Sequence, residues 1–181
     1  MEINYLLIFK IIVLFTILQR IAELFLSKSN EKFILSKGGM IIDEGNYIFM
    51  VLLHTTWLLS LVYFSFYKDL YFNSYIFWPA FVVFLIGQTL RITAIRTLGK
   101  RWSTRIAILP EVPAVNRGIF KWFRHPNYLG VILELLSLPL LASLFKVSAI
   151  FTALNLVILF YRIRLEEKNL KKYNEYITIF K

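Results

Sequence analysis

The apolar residues of this chain fall into blocks about as long as a bilayer's hydrocarbon core is thick, roughly 20 residues for one helix. Five such blocks cover residues 3–26, 47–67, 75–95, 128–145 and 147–165. Lipid offers the backbone no hydrogen-bond partners, so each block is read as a helix that satisfies its own peptide groups. Hydrophobic residues make up 58% of the chain, against roughly 45–50% in soluble domains. The expected fold class is all-α, a polytopic integral membrane bundle of about five transmembrane helices. The first block makes a poor cleavable signal peptide, because "MEIN" carries an acid and no base and no A-x-A site follows. It is expected to stay as a helix.

The distribution of the +10 net charge sets the orientation. Five spans put the two ends on opposite sides. With the C-terminal end inside, the cytoplasm receives Arg20, Lys28, Lys32 and Lys37, eight bases from Arg91 to Arg124, and six from Arg162 to Lys181. The exterior receives Lys68 and Lys146. The positive-inside rule then expects the N-terminus outside and the C-terminus inside. Orientation accounts for most of the basic residues, so a nucleic-acid partner is not expected and membrane lipids are. No internal repeat divides the chain. It is read as one domain, with two helices in residues 1–74 and the chemistry in residues 75–181.

In this topology three polar clusters share the cytoplasmic face: "RIAELFLSKSNEK", the long connector ending in "KWFRHPNYLG", and "YRIRLEEKNLKKYNEY". The fourth and fifth blocks form a tight hairpin, which brings "RHPNY" beside "RIRLEE". Pro126 suits the first turn of a helix, where its missing N–H is no loss. The first N–H groups of that helix are then available to a carboxylate or other anion. Arg162 and Glu166 stand at i,i+4 on one helix face. An Arg there can hold a carboxylate or enolate by two parallel hydrogen bonds, and a Glu can bind ribose hydroxyls or an ammonium group. Taken singly, the same residues read as interfacial anchors and an ordinary helix pair.

Four ionisable residues lie in or at the edge of a span: Arg20, Glu23, His54 and Glu134. Charges at such depth are functional candidates by default. Arg20 and Glu23 also read as a local i,i+3 pair, and His54 as a satisfied bundle histidine. Glu134, about two turns beyond Pro126, needs a partner or a proton. No metal site is expected, because the chain has no cysteine and its two histidines lie on different segments. Phosphate-loop, dinucleotide-binding and serine-hydrolase signatures are absent from the sequence.

The segments "GQTLRITAIRTLGKRWS", "NRGIFKWFRHPNYLG" and "YRIRLEEKNLKKYNEY", in that order, resemble the isoprenylcysteine carboxyl methyltransferase family and its phospholipid methyltransferase relatives. The resemblance runs from Gly87 to Tyr176. The N-terminal half, with "RIAELFLSKSNEKFILSKGG", looks like a bacterial branch that O-methylates alkylpyrones and alkylresorcinols. The resemblance implies S-adenosylmethionine as cofactor, clasped at the cytoplasmic face by the connector and the last helix. Its contacts fall on Val115, Phe120, His125, Pro126, Asn127, Tyr128 and Glu166. Arg162 falls where the family holds its substrate anion. Two departures stand out: "VPAV" replaces a turn with a preceding polar residue, and Phe120 replaces a usual Tyr.

Methyl transfer from a sulfonium is an in-line displacement whose rate owes much to positioning and desolvation. An acidic oxygen, a carboxylate or an enol, is ionised near neutral pH and needs no strong base. The acceptor expected is therefore a lipophilic small molecule that enters from the bilayer with its anion on Arg162. If the acceptor is a phospholipid amine it must lose a proton, and Glu134 is then the catalytic base. A transporter or assembly subunit is the rival of another class, but paired halves and broken mid-membrane helices are not seen in the sequence.

Overall fold

A computed structural model of the chain describes residues 4–42, 45, 47–67, 69–110 and 112–174. The expected start of the first span at Ile3, the exterior Lys68, and Tyr176 and Lys181 lie outside the described residues. The protein is an all-α bundle of five helices: α1 (Tyr5–Ser36), α2 (Tyr47–Tyr67), α3 (Ser74–Leu98), α4 (Pro126–Leu140) and α5 (Phe145–Tyr173). A short antiparallel ribbon pairs β1 (Met40–Ile41) with β2 (Ala107–Ile108), Met40 opposite Ile108. It ties the segment after α1 to the long connector between α3 and α4.

Four of the helices are long and apolar enough to cross a membrane, and α4 is shorter. This corrects the expected fourth span, residues 128–145. The 15 residues of α4 rise about 22 Å, short of a hydrocarbon core of about 30 Å. The helix ends at Leu140, just past Pro139, and Leu141 to Leu144 turn the chain into α5, with Ser143 at a positive φ of 52°. Leu141 and Ala142 in that turn are buried. α1 and α5 outrun their expected blocks at their C-terminal ends, reaching Ser36 and Tyr173. Periodicity in hydropathy marks where lipid ends, whereas a helix continues wherever its next turn finds partners.

The core runs up the bundle axis through Phe9, Trp57, Leu61, Phe77, Phe84, Leu135 and Leu138, all buried. Large apolar side chains on the outer faces, among them Ile11, Leu14, Phe15, Leu52, Leu59, Val82, Val157 and Phe160, are exposed, the pattern of a surface solvated by lipid tails.

α3 and α4 approach most closely at a pair of glycines. A Cβ on Gly87 would lie 3.0 Å from the Gly130 carbonyl oxygen, and one on Gly130 only 2.6 Å from that of Gly87 and 2.5 Å from Arg91 Cγ. Small residues are how membrane helices bring backbones together. Here the close approach also carries Arg91 of α3 alongside Glu134 of α4.

Candidate functional site

Two groups of charged side chains lie one above the other in the bundle. In the deeper group, Arg91 Nη1 donates to Glu134 Oε2 at 2.6 Å and Arg91 Nη2 donates to Glu23 Oε2. Arg20 Nη2 adds a bond to Glu134 Oε2 at 3.0 Å and Nη1 one to Glu23 Oε2 at 3.5 Å. Gln19 donates to the other Glu23 oxygen at 2.9 Å. Two acids and two arginines from α1, α3 and α4 thus neutralise one another, and Arg91 and Glu134 are both 1% exposed.

The second group sits at the end of the bundle where α4 begins and α5 ends. His125, the N-cap of α4, makes no side-chain cap bond, and Pro126 opens the helix as the sequence requires. His125 Nε2 lies 3.2 Å from Glu167 Oε1 and Nδ1 lies 3.8 Å from Glu166 Oε2. Tyr128 donates its hydroxyl to Glu166 Oε2 at 2.7 Å. The rings of His125 and Tyr128 stack, 5.5 Å apart. The guanidinium of Arg162 lies over the other side of this motif, 5.9 Å from the Tyr128 ring centroid, and donates to the Thr104 carbonyl at 2.9 Å. The i,i+4 spacing of Arg162 and Glu166 therefore does what helix geometry requires, setting both side chains on the face that meets Tyr128.

Two cavities flank this group. The first, of about 110 Å³, is walled by the connector, the end of α1 and the last turns of α5; Val115, Phe120, His125 and Glu166 line it with Arg124 and Asn174. Asn174 holds the connector in place, its Nδ2 donating to the carbonyls of Leu109 and Val112 at 2.7 and 2.6 Å. Its Oδ1 is buried without a partner among the described residues. The second cavity, of about 360 Å³, runs between α1, α2 and α5. Arg162, Tyr128, Asn127, Thr104 and Tyr47 line one part of it, Arg20 and His54 another, and Leu58, Leu59 and Val62 a third.

The sequence-derived site residues are thus divided. Val115, Phe120, His125 and Glu166 line the first cavity; Asn127, Tyr128 and Arg162 line the second. Pro126 is buried at the head of α4 and lines neither. Glu134, expected as a catalytic base, also lines neither, and its carboxylate lies between the guanidiniums of Arg20 and Arg91. Arg20 and Glu23 are close to each other, as their spacing allows, but their shorter bonds cross to other helices. Sequence reasoning missed Arg91, because its place near the end of an apolar block reads as a cytoplasmic base. The available signal was periodicity: Phe77, Ala80, Phe84, Gly87, Gln88, Arg91 and Ala94 are the buried positions of α3, a single stripe at helical spacing. Thr104 and Tyr47 were missed too. Nothing local distinguishes them, although Ser27, Tyr47 and Arg162 all converge on Thr104.

Comparison with known proteins gives matches in both sequence halves. Residues 80–172 match the isoprenylcysteine carboxyl methyltransferase family, a stretch that takes in most of α3, the connector, α4 and nearly all of α5. The uncharacterized protein YpbQ of Bacillus subtilis (strain 168) is 33% identical over 166 residues, 92% of this chain and 98% of that protein. An uncharacterized protein of Haemophilus influenzae is 29% identical over 150 residues, 82% of this chain and 86% of that protein. No solved structure matches.

Proposed function

The chain belongs to the isoprenylcysteine carboxyl methyltransferase family and is a membrane methyltransferase; from that premise we propose that it moves a methyl group from S-adenosylmethionine to an acidic oxygen of a lipophilic acceptor. The observation that carries the reading is the pair of cavities meeting at one wall. Glu166 faces the first, Arg162 faces the second, and Tyr128 touches both side chains.

The donor set of the first cavity fits the cofactor. Ile108, Leu109, Phe120 and Leu170 offer apolar surface to a purine, and Asn174 Oδ1 is a buried acceptor that a bound N–H would satisfy. Glu166 offers carboxylate oxygens to ribose hydroxyls or an ammonium group, and Arg124 a cation to a carboxylate. When bound, S-adenosylmethionine supplies an electrophilic methyl on a sulfonium. The chain's own part is orientation. Glu166 fixes the Tyr128 hydroxyl, Tyr128 fixes the face over which Arg162 lies, and Arg162 is held by Thr104 so that it can meet an incoming anion. The mostly apolar second cavity strips water from that anion and strengthens its pairing with the cation.

Amine methylation loses its base in this arrangement, because Glu134 is outside both cavities and its carboxylate is engaged by Arg20 and Arg91. Alkylpyrones and alkylresorcinols, with an acidic oxygen on a long apolar tail, suit the second cavity. The orientation proposed is N-terminus out and site inside, in a bacterial cytoplasmic membrane. Calorimetry of detergent-purified protein with S-adenosylhomocysteine tests the cofactor, with saturable one-to-one binding expected and no heat of binding contradicting it. Membranes incubated with labelled S-adenosylmethionine should yield a labelled lipid identifiable by mass spectrometry.

A further inference from the structure

The second cavity is polar at two depths. At the cytoplasmic-side level, Ser27 of α1, Tyr47 of α2 and Arg162 of α5 all bond Thr104, so these residues mark one plane across three helices. Arg20 on α1 and His54 on α2 each lie seven residues deeper along their own helices. That is a rise of ~10 Å from the first plane, roughly eight carbons of an extended chain. Below them the lining turns apolar, with Ile17, Leu58, Leu59 and Val62.

The second level has one acceptor of defined chemistry. His54 Nδ1 lies 2.8 Å from the Met50 carbonyl. A carbonyl can only accept, so Nδ1 carries the ring proton and Nε2 is left as a bare acceptor in the neutral imidazole. Beside it on the wall is Arg20, a donor, whose guanidinium is pinned by Glu134 and Glu23 while the side chain keeps 19% exposure. An ionisable side chain at this depth in an apolar wall marks a place where something polar binds. A hydroxyl satisfies both neighbours, donating to His54 and accepting from Arg20. An unbroken hydrocarbon tail satisfies neither.

We propose that the acceptor carries, in addition to its acidic oxygen at Arg162, a hydroxyl deeper along its chain that is read by His54 Nε2 and Arg20. His54 is then a specificity-determining residue for this cavity. The inference rests on the second cavity holding the acceptor, and it names a feature of that molecule which the transfer reaction itself does not require.

Three fatty acids serve as probes: octadecanoic acid, the same acid with a hydroxyl on its tenth carbon, and the same acid with a hydroxyl on its third. Binding to the full-length protein in detergent is read from tryptophan fluorescence, Trp102 being buried on the cavity wall. The acid hydroxylated at the tenth carbon is expected to bind about fivefold more tightly than the other two, the scale of one neutral hydrogen bond. In His54→Phe the ratio should fall to about one, and His54→Gln, which keeps an acceptor, should retain part of it. Equal affinities for the three acids, no binding of any of them, or a preference that survives His54→Phe would each overturn the proposal. Calorimetry with S-adenosylhomocysteine on the same preparation separates the two readings. Cofactor binding without discrimination among the acids removes the deep hydroxyl alone, and discrimination without cofactor binding removes the methyltransferase assignment alone.

Discussion

The two charged groups of this bundle use the same kinds of side chain to opposite ends. Around Arg91 every formal charge has an opposite within hydrogen-bonding distance, and Arg91 and Glu134 are sealed from solvent. Around Tyr128 the acids are only partly covered, with the Glu166 side chain 28% and that of Glu167 23% exposed, and Glu166 walls a cavity. A closed cluster spends its charges on its own members, and only Arg20, at its rim, keeps an edge on the second cavity. An open one keeps acceptors that a ligand can take. The contrast also divides the energetics. Removing one member of a buried ion pair strands the other, which typically costs 3–5 kcal/mol, whereas partly exposed pairs contribute roughly 0–1 kcal/mol.

The strongest way to break the comparison is therefore to cut one acid from each group. Glu134→Ala should lose about 3–5 kcal/mol of stability, because Arg91 then stays buried with half its pairing gone. Glu166→Ala should stay within about 1 kcal/mol of the parent protein. Thermal unfolding of both variants in the same detergent gives the answer. Equal melting temperatures would mean that the deep cluster is not what holds α1, α3 and α4 together.

Next in size is a change at the open group. His125→Ala should weaken S-adenosylhomocysteine binding by about 1.5–3 kcal/mol, the range for losing a hydrogen bond to a charged group, with the unfolding temperature nearly unchanged. The histidine touches both Glu166 and Glu167, so its loss also frees two carboxylates that line or border the first cavity. An unaltered affinity in a folded variant would leave His125 as an interfacial anchor. Somewhat smaller is Gly130→Ala. Its Cβ would meet Arg91 Cγ at 2.5 Å and the Gly87 carbonyl at 2.6 Å, an overpacking of about 1–3 kcal/mol. Unlike His125→Ala it should lower the melting temperature and leave cofactor affinity intact. A drop in affinity without a drop in stability would show the two groups to be coupled.

The open group was legible in the sequence and the closed one mostly was not. "RHPNY" and "RIRLEE" are each compact in sequence, and the i,i+4 rule alone puts Arg162 and Glu166 on one face. The family resemblance then supplied a role for each. The closed cluster is assembled from residues 20, 23, 91 and 134, and nothing local specifies that α1, α3 and α4 meet there. Glu134 therefore read as an acid in need of a partner, while its partner Arg91 read as a cytoplasmic base. The length of α4 was hidden for a related reason. "LPLLASLFKV" is apolar but for Ser143 and Lys146, so hydropathy carries the block through a turn set by the positive φ of Ser143 and the packing of Leu141 and Ala142.

Arg162 lies between the two kinds of group, and the smallest expected effect tests to which it belongs. It is 2% exposed, like the closed cluster, yet it lines a cavity, like the open one. Lysine in its place keeps the charge and loses the planar fork. If the fork meets an acceptor's acidic oxygen, Arg162→Lys should raise the apparent KM for the lipid about tenfold, the scale of one hydrogen bond to a charged group at its lower limit. The KM for S-adenosylmethionine should hardly move, because Arg162 lines the second cavity and Glu166 the first. A neutral amine gains little from a cation, so full activity in Arg162→Lys and Arg162→Gln alike would point to N-methylation. Loss of both KM values together with a lower melting temperature would place Arg162 with the closed cluster, as the tether that holds Thr104 and the connector to α5.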